Sequence, residues 1–266
     1  MKSARVIVTR PERDARRWVR DLQELGITAE ALPLLEIAPL PPSEQLSRVW
    51  TEMNTYAALM FVSGNAVECF FESNMPLAQH LRAKLAIYLI AGDVRFLAPG
   101  PGTVKALRHA GVPIDRIDAP AADAIQFDSE ALWAVVGRQD WQGRRVLIVR
   151  GQGAANADPA APGRDWLARQ FAAAGASVDF LAVYQRQAPA FSALQLKRIQ
   201  AAASDGSVWL FSSSEAVAHL PPSDWSRARA VATHPRIAEA VRAAGWGVVA
   251  ESRPALRDIV ASIESM

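Results

Sequence analysis

Cysteine is almost missing from this chain: Cys69 stands alone among 266 residues, which excludes an internal disulfide and suits a reducing compartment. Histidine is nearly as scarce, and His80, His109, His219 and His234 lie too far apart to suggest a metal-ligand spacing. No stretch of Lys and Arg reaches five residues and the net charge is only +2, which argues against a nucleic-acid partner. There is no uninterrupted apolar run of about 18 residues, the length a membrane span would need, and the N-terminus enters a β-branched run at Arg5 without an apolar leader. These absences describe a cytoplasmic protein that uses neither membrane nor nucleic acid.

What is present is a doubled pattern. Half of the residues are hydrophobic and 21% are charged, enough to bury cores in two α/β lobes of about 130 residues each. Arg5-Val6-Ile7-Val8-Thr9-Arg10 reads against Arg145-Val146-Leu147-Ile148-Val149-Arg150 at an offset of 140, and Phe61-Val62-Ser63-Gly64-Asn65-Ala66-Val67 against Phe211-Ser212-Ser213-Ser214-Glu215-Ala216-Val217 at 150. Gly26-Ile27-Thr28 matches Gly175-Ala176-Ser177, and Gly100 to Arg108 matches His234 to Arg242. An internal duplication of one strand, turn and helix unit accounts for all four.

Within each copy, short β-branched runs alternate with helical spacing. Arg5 to Thr9 is a strand, and Trp18, Leu22 and Leu25 then fall on one face of a helix that Gly26 stops. Ala29 to Ile37 reads as one extended run, Ala57 to Val62 and Val208 to Phe211 as strands, and Leu85 to Ala91 as strand-like. Asn65 with Glu68, and Ser212 with Glu215, have the spacing of capping boxes. Alternation of this kind predicts parallel sheets covered by helices on both faces. Gly151 to Gly163, with its alanines, prolines and glycines, reads as a loop.

Several conventional chemistries fail on inspection. Gly151-Gln152-Gly153-Ala154-Ala155-Asn156 begins like a dinucleotide fingerprint, but Asn156 replaces the third glycine and Pro159 and Pro162 break the helix that should follow. Cys69 sits in apolar company with no histidine near it in sequence, so core packing is preferred to a nucleophile.

The polar turns carry more. In parallel α/β sheets ligands bind beyond the carboxyl ends of the strands, where helix N-termini aim backbone N–H groups outward. Ser63-Gly64-Asn65, Thr103 after Gly102, Ser212-Ser213-Ser214 and Thr233 occupy such places, and Arg10 and Arg150 close equivalent strands. Taken singly, each serine or asparagine is a helix cap. Taken as a repeated set with two arginines, they describe an anion-binding arrangement for a small molecule with several carboxylates or phosphates.

At these same turns the chain resembles the uroporphyrinogen-III synthase family. The matching stretches, in order, are Val6 to Pro11, Phe61 to Val67, Gly102 to Leu107, Arg145 to Gly151, Val183 to Arg186, Phe211 to Val217 and His234 to Ala240. The resemblance implies two similar flavodoxin-like α/β domains, interleaved in the chain as 1–36 plus 187–266 and 37–186. A two-strand ladder at 34–39 and 181–189 would join them, with the active site in the cleft between. It implies a monomeric, cofactor-independent and metal-independent hydro-lyase whose substrate is the linear tetrapyrrole hydroxymethylbilane. Water is lost and the ring closes to uroporphyrinogen III with its last pyrrole inverted. It nominates Tyr184 as the proton donor to the departing hydroxyl, although a tyrosine at the end of an apolar strand also serves as packing. The chain departs from the family pattern at Val62, where a threonine is usual, and in the proline-rich Ala98-Pro99-Gly100-Pro101. A rival of another class is a two-lobed protein that holds a polycarboxylate ligand without turning it over.

Overall fold

A computed structural model describes residues 5–72, 93–153 and 165–266. The chain divides into two compact units, Met1–Glu36 with Gln187–Met266, and Ile37–Arg186. The strand-like run at 85–91 and most of the 151–163 segment lie outside the described residues.

The first unit holds a five-stranded sheet built from β1 (Val6–Val8), β2 (Ala29–Ala31), β9 (Val208–Phe211), β10 (Arg229–Ala232) and β11 (Val248–Glu251). Its order is β2-β1-β9-β10-β11, with parallel pairing throughout. Numbered by position along this unit, that is the 2-1-3-4-5 order of doubly wound flavodoxin-like sheets. Both faces are apolar because both are covered. Ile7, Trp209, Phe211 and Ala230 pack under α7 (Ala193–Ala202), α8 (Ser214–Ala218) and α9 (Pro235–Ala243). Val6, Val8, Leu210 and Val231 pack under α1 (Glu12–Glu24) and α10 (Leu256–Glu264).

Helix α1 shows why these residues fold as they do. Pro11 precedes it, Glu12 and Asp14 sit in the first turn where the macrodipole favours anions, and Ala15, Trp18 and Leu22 form its buried stripe. Gly26, with φ of 78°, takes the left-handed position that ends it. The extended run read over Ala29 to Ile37 is in fact two strands of different sheets: β2 stops at Ala31 and β3 (Glu36–Pro39) begins five residues later. An unbroken apolar stretch cannot reveal that its hydrogen-bond partners change partway.

The second unit holds a six-stranded sheet of order β3-β8-β7-β4-β5-β6. Its strands are β4 (Ala58–Phe61), β5 (Arg95–Leu97), β6 (Ile117–Asp118), β7 (Arg145–Gln152) and β8 (Ser177–Gln187), with β3 outermost beside β8. Starting from β7, the order is again 2-1-3-4-5, so the second unit is the same sheet circularly permuted, with one strand added. One face carries Leu59, Phe61, Leu147, Val149, Leu181 and Val183 beneath α2 (Glu44–Thr51), α3 (Gly64–Glu72) and α4 (Pro101–His109). The opposite face carries Ala58, Met60, Val146 and Ile148 beneath α5 (Ser129–Val136) and α6 (Trp166–Ala173). Strand β7 runs through Gly151 to Gln152, so the start of the expected loop is strand, and Gly151 is not at a strand-to-helix turn. The partial dinucleotide fingerprint therefore lacks its structural context. No described helix is long and apolar enough to cross a membrane.

Candidate functional site

In each sheet the strand order reverses direction between the first and third positions, β1 beside β9 and β7 beside β4. That reversal is where open α/β sheets leave a crevice beyond the strand ends. Arg10, Ser63 and Ser212 follow strands that flank it (β1, β4 and β9), Arg150 lies near the end of β7, and Thr103 and Thr233 come after β5 and β10, one strand further along each sheet.

In the second unit, Ser63 immediately precedes α3 and its Oγ accepts from the Ala66 N–H at 3.2 Å. Ser63 is thus the capping residue, and Asn65, expected to begin the helix, lies inside its first turn. Gly64 opens α3 close to the start of α4: a Cβ on it would lie 3.6 Å from the Gly102 carbonyl oxygen and 3.7 Å from Ala106 Cβ. Thr103 is 5% exposed in the first turn of α4, where its N–H bonds the Gly100 carbonyl at 3.1 Å. Two helix starts are therefore adjacent; the Ala66 and Thr103 N–H groups are already bonded there, which leaves the amides of Gly64, Asn65 and Gly102 to face a ligand.

Tyr184 belongs to β8, three residues before that strand ends, and is 3% exposed. Its Oη lies 3.2 Å from Ser63 Oγ, and either hydroxyl can donate. These two residues are 121 positions apart in the chain, so neither spacing nor periodicity could have paired them. The contact joins the candidate proton donor to the α3 turn.

Arg150 is placed differently. It lies within β7 two residues before the end, on the face away from Tyr184. Its guanidinium stacks 4.2 Å above the Phe180 ring and its Nη1 pairs with Asp165 Oδ1 at 2.9 Å. Asp165 occupies the N-cap position of α6. Nothing in the sequence pattern nominated it, and an arginine opposed by a carboxylate is a weaker anion receptor than a free one.

In the first unit, Arg10 follows β1 and stacks over Trp18 of α1, 4.7 Å from the ring centre. The residue keeps some exposed surface, but its Nε is sealed from solvent and has no hydrogen-bond partner among the described residues. Burial pulls its pKa well below the ordinary arginine value, down to about 10, with nearby Asp14 only partly compensating. Thr9, one residue earlier, is fully committed to the fold: its Oγ1 donates to the Leu210 carbonyl at 2.7 Å.

Ser212 and Ser213 form the turn after β9, with Ser213 at the N-cap position of α8 and Ser214 its first residue. Its side chain makes no cap hydrogen bond, so Ser213 takes the place expected of Ser212 without performing the capping. Helix α8 has only five residues, too few to build much of a macrodipole. Thr233 is 6% exposed after β10 and its N–H bonds the Phe211 carbonyl at 3.0 Å. His234, which follows it, caps α9 by accepting from the Arg236 N–H at 3.1 Å. Cys69 is 7% exposed among Trp50, Phe61 and Phe70, and so packs the core. His219 is held by the Leu34 carbonyl, 2.7 Å from its Nδ1. No group of three or more His, Cys, Asp or Glu residues placed to hold a metal occurs among the described residues.

Comparison with known proteins agrees with this architecture. A family model described as uroporphyrinogen-III synthase HemD matches residues 16–261. A uroporphyrinogen-III synthase of Chlorobaculum parvum is 28% identical over 148 residues, which is 55% of this chain and 52% of that protein. A porphyrin biosynthesis protein HemD of Ruminiclostridium josui is 25% identical over 111 residues, 42% of this chain and 21% of that protein. The matches thus span about half and about a fifth of these two relatives. Among solved structures, a mutant uroporphyrinogen III synthase of Thermus thermophilus aligns over 98% of both chains with a TM-score of 0.58 at 18% identity. A uroporphyrinogen-III synthetase of Helicobacter pylori aligns over 98% of this chain and 99% of its own, also at 0.58, with 14% identity. At those identities the structural likeness speaks to the fold.

Proposed function

The chain belongs to the uroporphyrinogen-III synthase family, and from that premise we propose that it converts hydroxymethylbilane to uroporphyrinogen III, with loss of water and inversion of the last pyrrole ring. The observation that carries the reading is Tyr184, which holds its hydroxyl 3.2 Å from Ser63 Oγ at the turn that opens α3. Proton transfer from Tyr184 Oη to the hydroxymethyl oxygen lets the carbon–oxygen bond break and water depart, leaving an azafulvenium cation and the Tyr184 phenolate. The substituted carbon of the last ring then attacks it to give a spiro intermediate, which opens and recloses with that ring inverted, and the proton shed as the pyrrole is restored returns to Tyr184 Oη.

Such chemistry asks the protein to hold a flexible polyanion in one geometry, an orientation task that can contribute several kcal/mol, up to roughly 7–11. The eight carboxylates of the substrate suit the first-turn amides of α3 and α4 around Ser63, Gly64, Asn65 and Thr103. Arg10, Arg150, Ser212, Ser213, Ser214 and Thr233 are assigned to the remaining carboxylates. The guanidinium of Arg10, desolvated and with an unsatisfied Nε, gains most by meeting one. The reaction as written involves no cofactor, and the protein acts as a monomer in the cytoplasm.

The test is to supply hydroxymethylbilane to the pure protein and separate the product isomers. The type III isomer is expected in excess. Type I alone, the product of spontaneous closure, would overturn the assignment.

A further inference from the structure

Gly151 is a glycine for a reason other than backbone conformation. Among the described residues six glycines have positive φ, namely Gly26, Gly111, Gly143, Gly175, Gly206 and Gly245, and Gly151 is not among them. What it cannot tolerate is a side chain, because a Cβ there would lie 2.2 Å from Cε2 and 2.3 Å from Cζ of Tyr184. The tyrosine ring lies directly against the bare Cα.

The strand register explains how the ring comes to be there. Through Arg150, β7 and β8 pair in step, Arg150 opposite Ala182, but Gly151 is opposite Tyr184, so Val183 is passed over. Without that shift Tyr184 would pair with Gln152 and, three residues after Leu181, would alternate to the face under α5 and α6. The extra residue returns it to the face of Leu181 and Val183, where Ser63 is. Val183 remains tied down, its carbonyl accepting from the Leu40 N–H at 3.0 Å. Bulges that re-aim one side chain recur beside active sites.

We propose that Gly151 and the bulge at Val183 act together as the positioning device for Tyr184, setting the distance of its hydroxyl from Ser63. Cζ carries the hydroxyl, so any atom that displaces Cζ displaces Oη with it. At 3.2 Å the Ser63 contact is already beyond the usual 2.5–3.0 Å of an O–H···O hydrogen bond, and further movement would break it. The catalytic part of this inference rests on Tyr184 being the proton donor.

The experiment compares Gly151→Ala in the natural background and in Tyr184→Phe. Gly151→Ala is expected to lower kcat on the order of 10-fold to 100-fold, with KM changing less than about 2-fold. In the Tyr184→Phe background the same substitution should lower kcat by less than about 2-fold, since the hydroxyl it misplaces is already gone. In protein labelled with 13Cζ tyrosine, which has three tyrosines, the resonance assigned to Tyr184 by its loss in Tyr184→Phe should shift. An equal kcat loss in both backgrounds, or an unmoved resonance, overturns the proposal. If the natural protein yields only the type I isomer, the reaction reading falls and the positioning role is judged on the resonance alone. Should Gly151→Ala prove insoluble, Gly151→Ala with Tyr184→Ala decides: soluble protein as stable as Tyr184→Ala alone supports the contact, and continued insolubility refutes it.

Discussion

The two units carry the same 2-1-3-4-5 sheet, yet equivalent arginines at the first strand of each have opposite electrostatic fates. Arg150 is stacked on Phe180 and neutralised by Asp165. Arg10 is stacked on Trp18 and has no comparable carboxylate on its Nε, so its positive charge is held in a desolvated place where burial disfavours it. A second asymmetry concerns Tyr184, whose counterpart at the 149 offset is Leu35, a buried aliphatic residue. Duplication thus explains the shared frame, while the copies differ at Arg10 and at Tyr184, the proposed proton donor. A desolvated cation whose charge is only partly compensated is costly to a fold and useful to a ligand of opposite sign.

The sharpest test of this contrast is Tyr184→Phe against Leu35→Ala. Removing one oxygen from Tyr184 is expected to lower kcat on the order of 100-fold, the low end for a lost general acid, with KM nearly unchanged. Leu35→Ala should instead lower the thermal midpoint through lost packing, roughly 2–5 kcal/mol, and leave the kcat of the folded fraction alone. Steady-state kinetics beside thermal unfolding separate the two, and an unchanged rate in Tyr184→Phe would return that residue to packing.

The arginines come next. Arg10→Met should weaken apparent substrate affinity by about 1.5–3 kcal/mol, roughly 10-fold to 100-fold, as expected for a charged hydrogen bond. Arg150→Met should lose less, because Asp165 already opposes that charge. Stability should move the other way: Arg10→Met is expected to raise the thermal midpoint. The folded pKa of Arg10, about 10, lies below its ordinary value, so the unfolded chain binds the proton more tightly. Folding therefore carries a cost that is full below about pH 10 and fades as pH rises above it. The midpoint gap between Arg10→Met and the natural protein should accordingly stay constant up to about pH 9 and narrow above about pH 10. A gap independent of pH would show that the charge is not what destabilises.

The smallest effect belongs to Asp165→Asn. The Arg150–Asp165 pair is about two-fifths exposed on both sides, so its loss should cost no more than about 1 kcal/mol. Freed of its partner, Arg150 should bind the anionic substrate more tightly, bringing the two units closer in behaviour. Weaker binding in this variant would mean that Asp165 orients Arg150 and does not compete for it.

Sequence alone made the sheets legible because a parallel strand buried on both faces must be apolar along its whole length. Val6 to Val8, Ala58 to Phe61 and Val208 to Phe211 all were. Helix starts were read less well. Asn65 and Ser212 satisfy the capping-box spacing, but Ser63 performs the cap of α3 and Ser213 holds the position before α8. Spacing names a set of compatible residues, and backbone torsion selects among them. Within the candidate site, the pairing of Tyr184 with Ser63, the approach of Gly64 to Gly102 and the opposition of Asp165 to Arg150 left no trace in local pattern.

The amino-acid order by itself determined the doubled α/β architecture and the polar turns at strand ends, since hydrophobic period and turn chemistry are local properties repeated along the chain, and its ordered motifs carried the family resemblance. Only the tertiary structure decided which of those turns meets Tyr184, which arginine keeps an only partly compensated charge and why position 151 must be bare. The reason is physical: a one-residue register shift changes the face of every side chain that follows it, and a desolvated charge is defined by neighbours that arrive from distant segments.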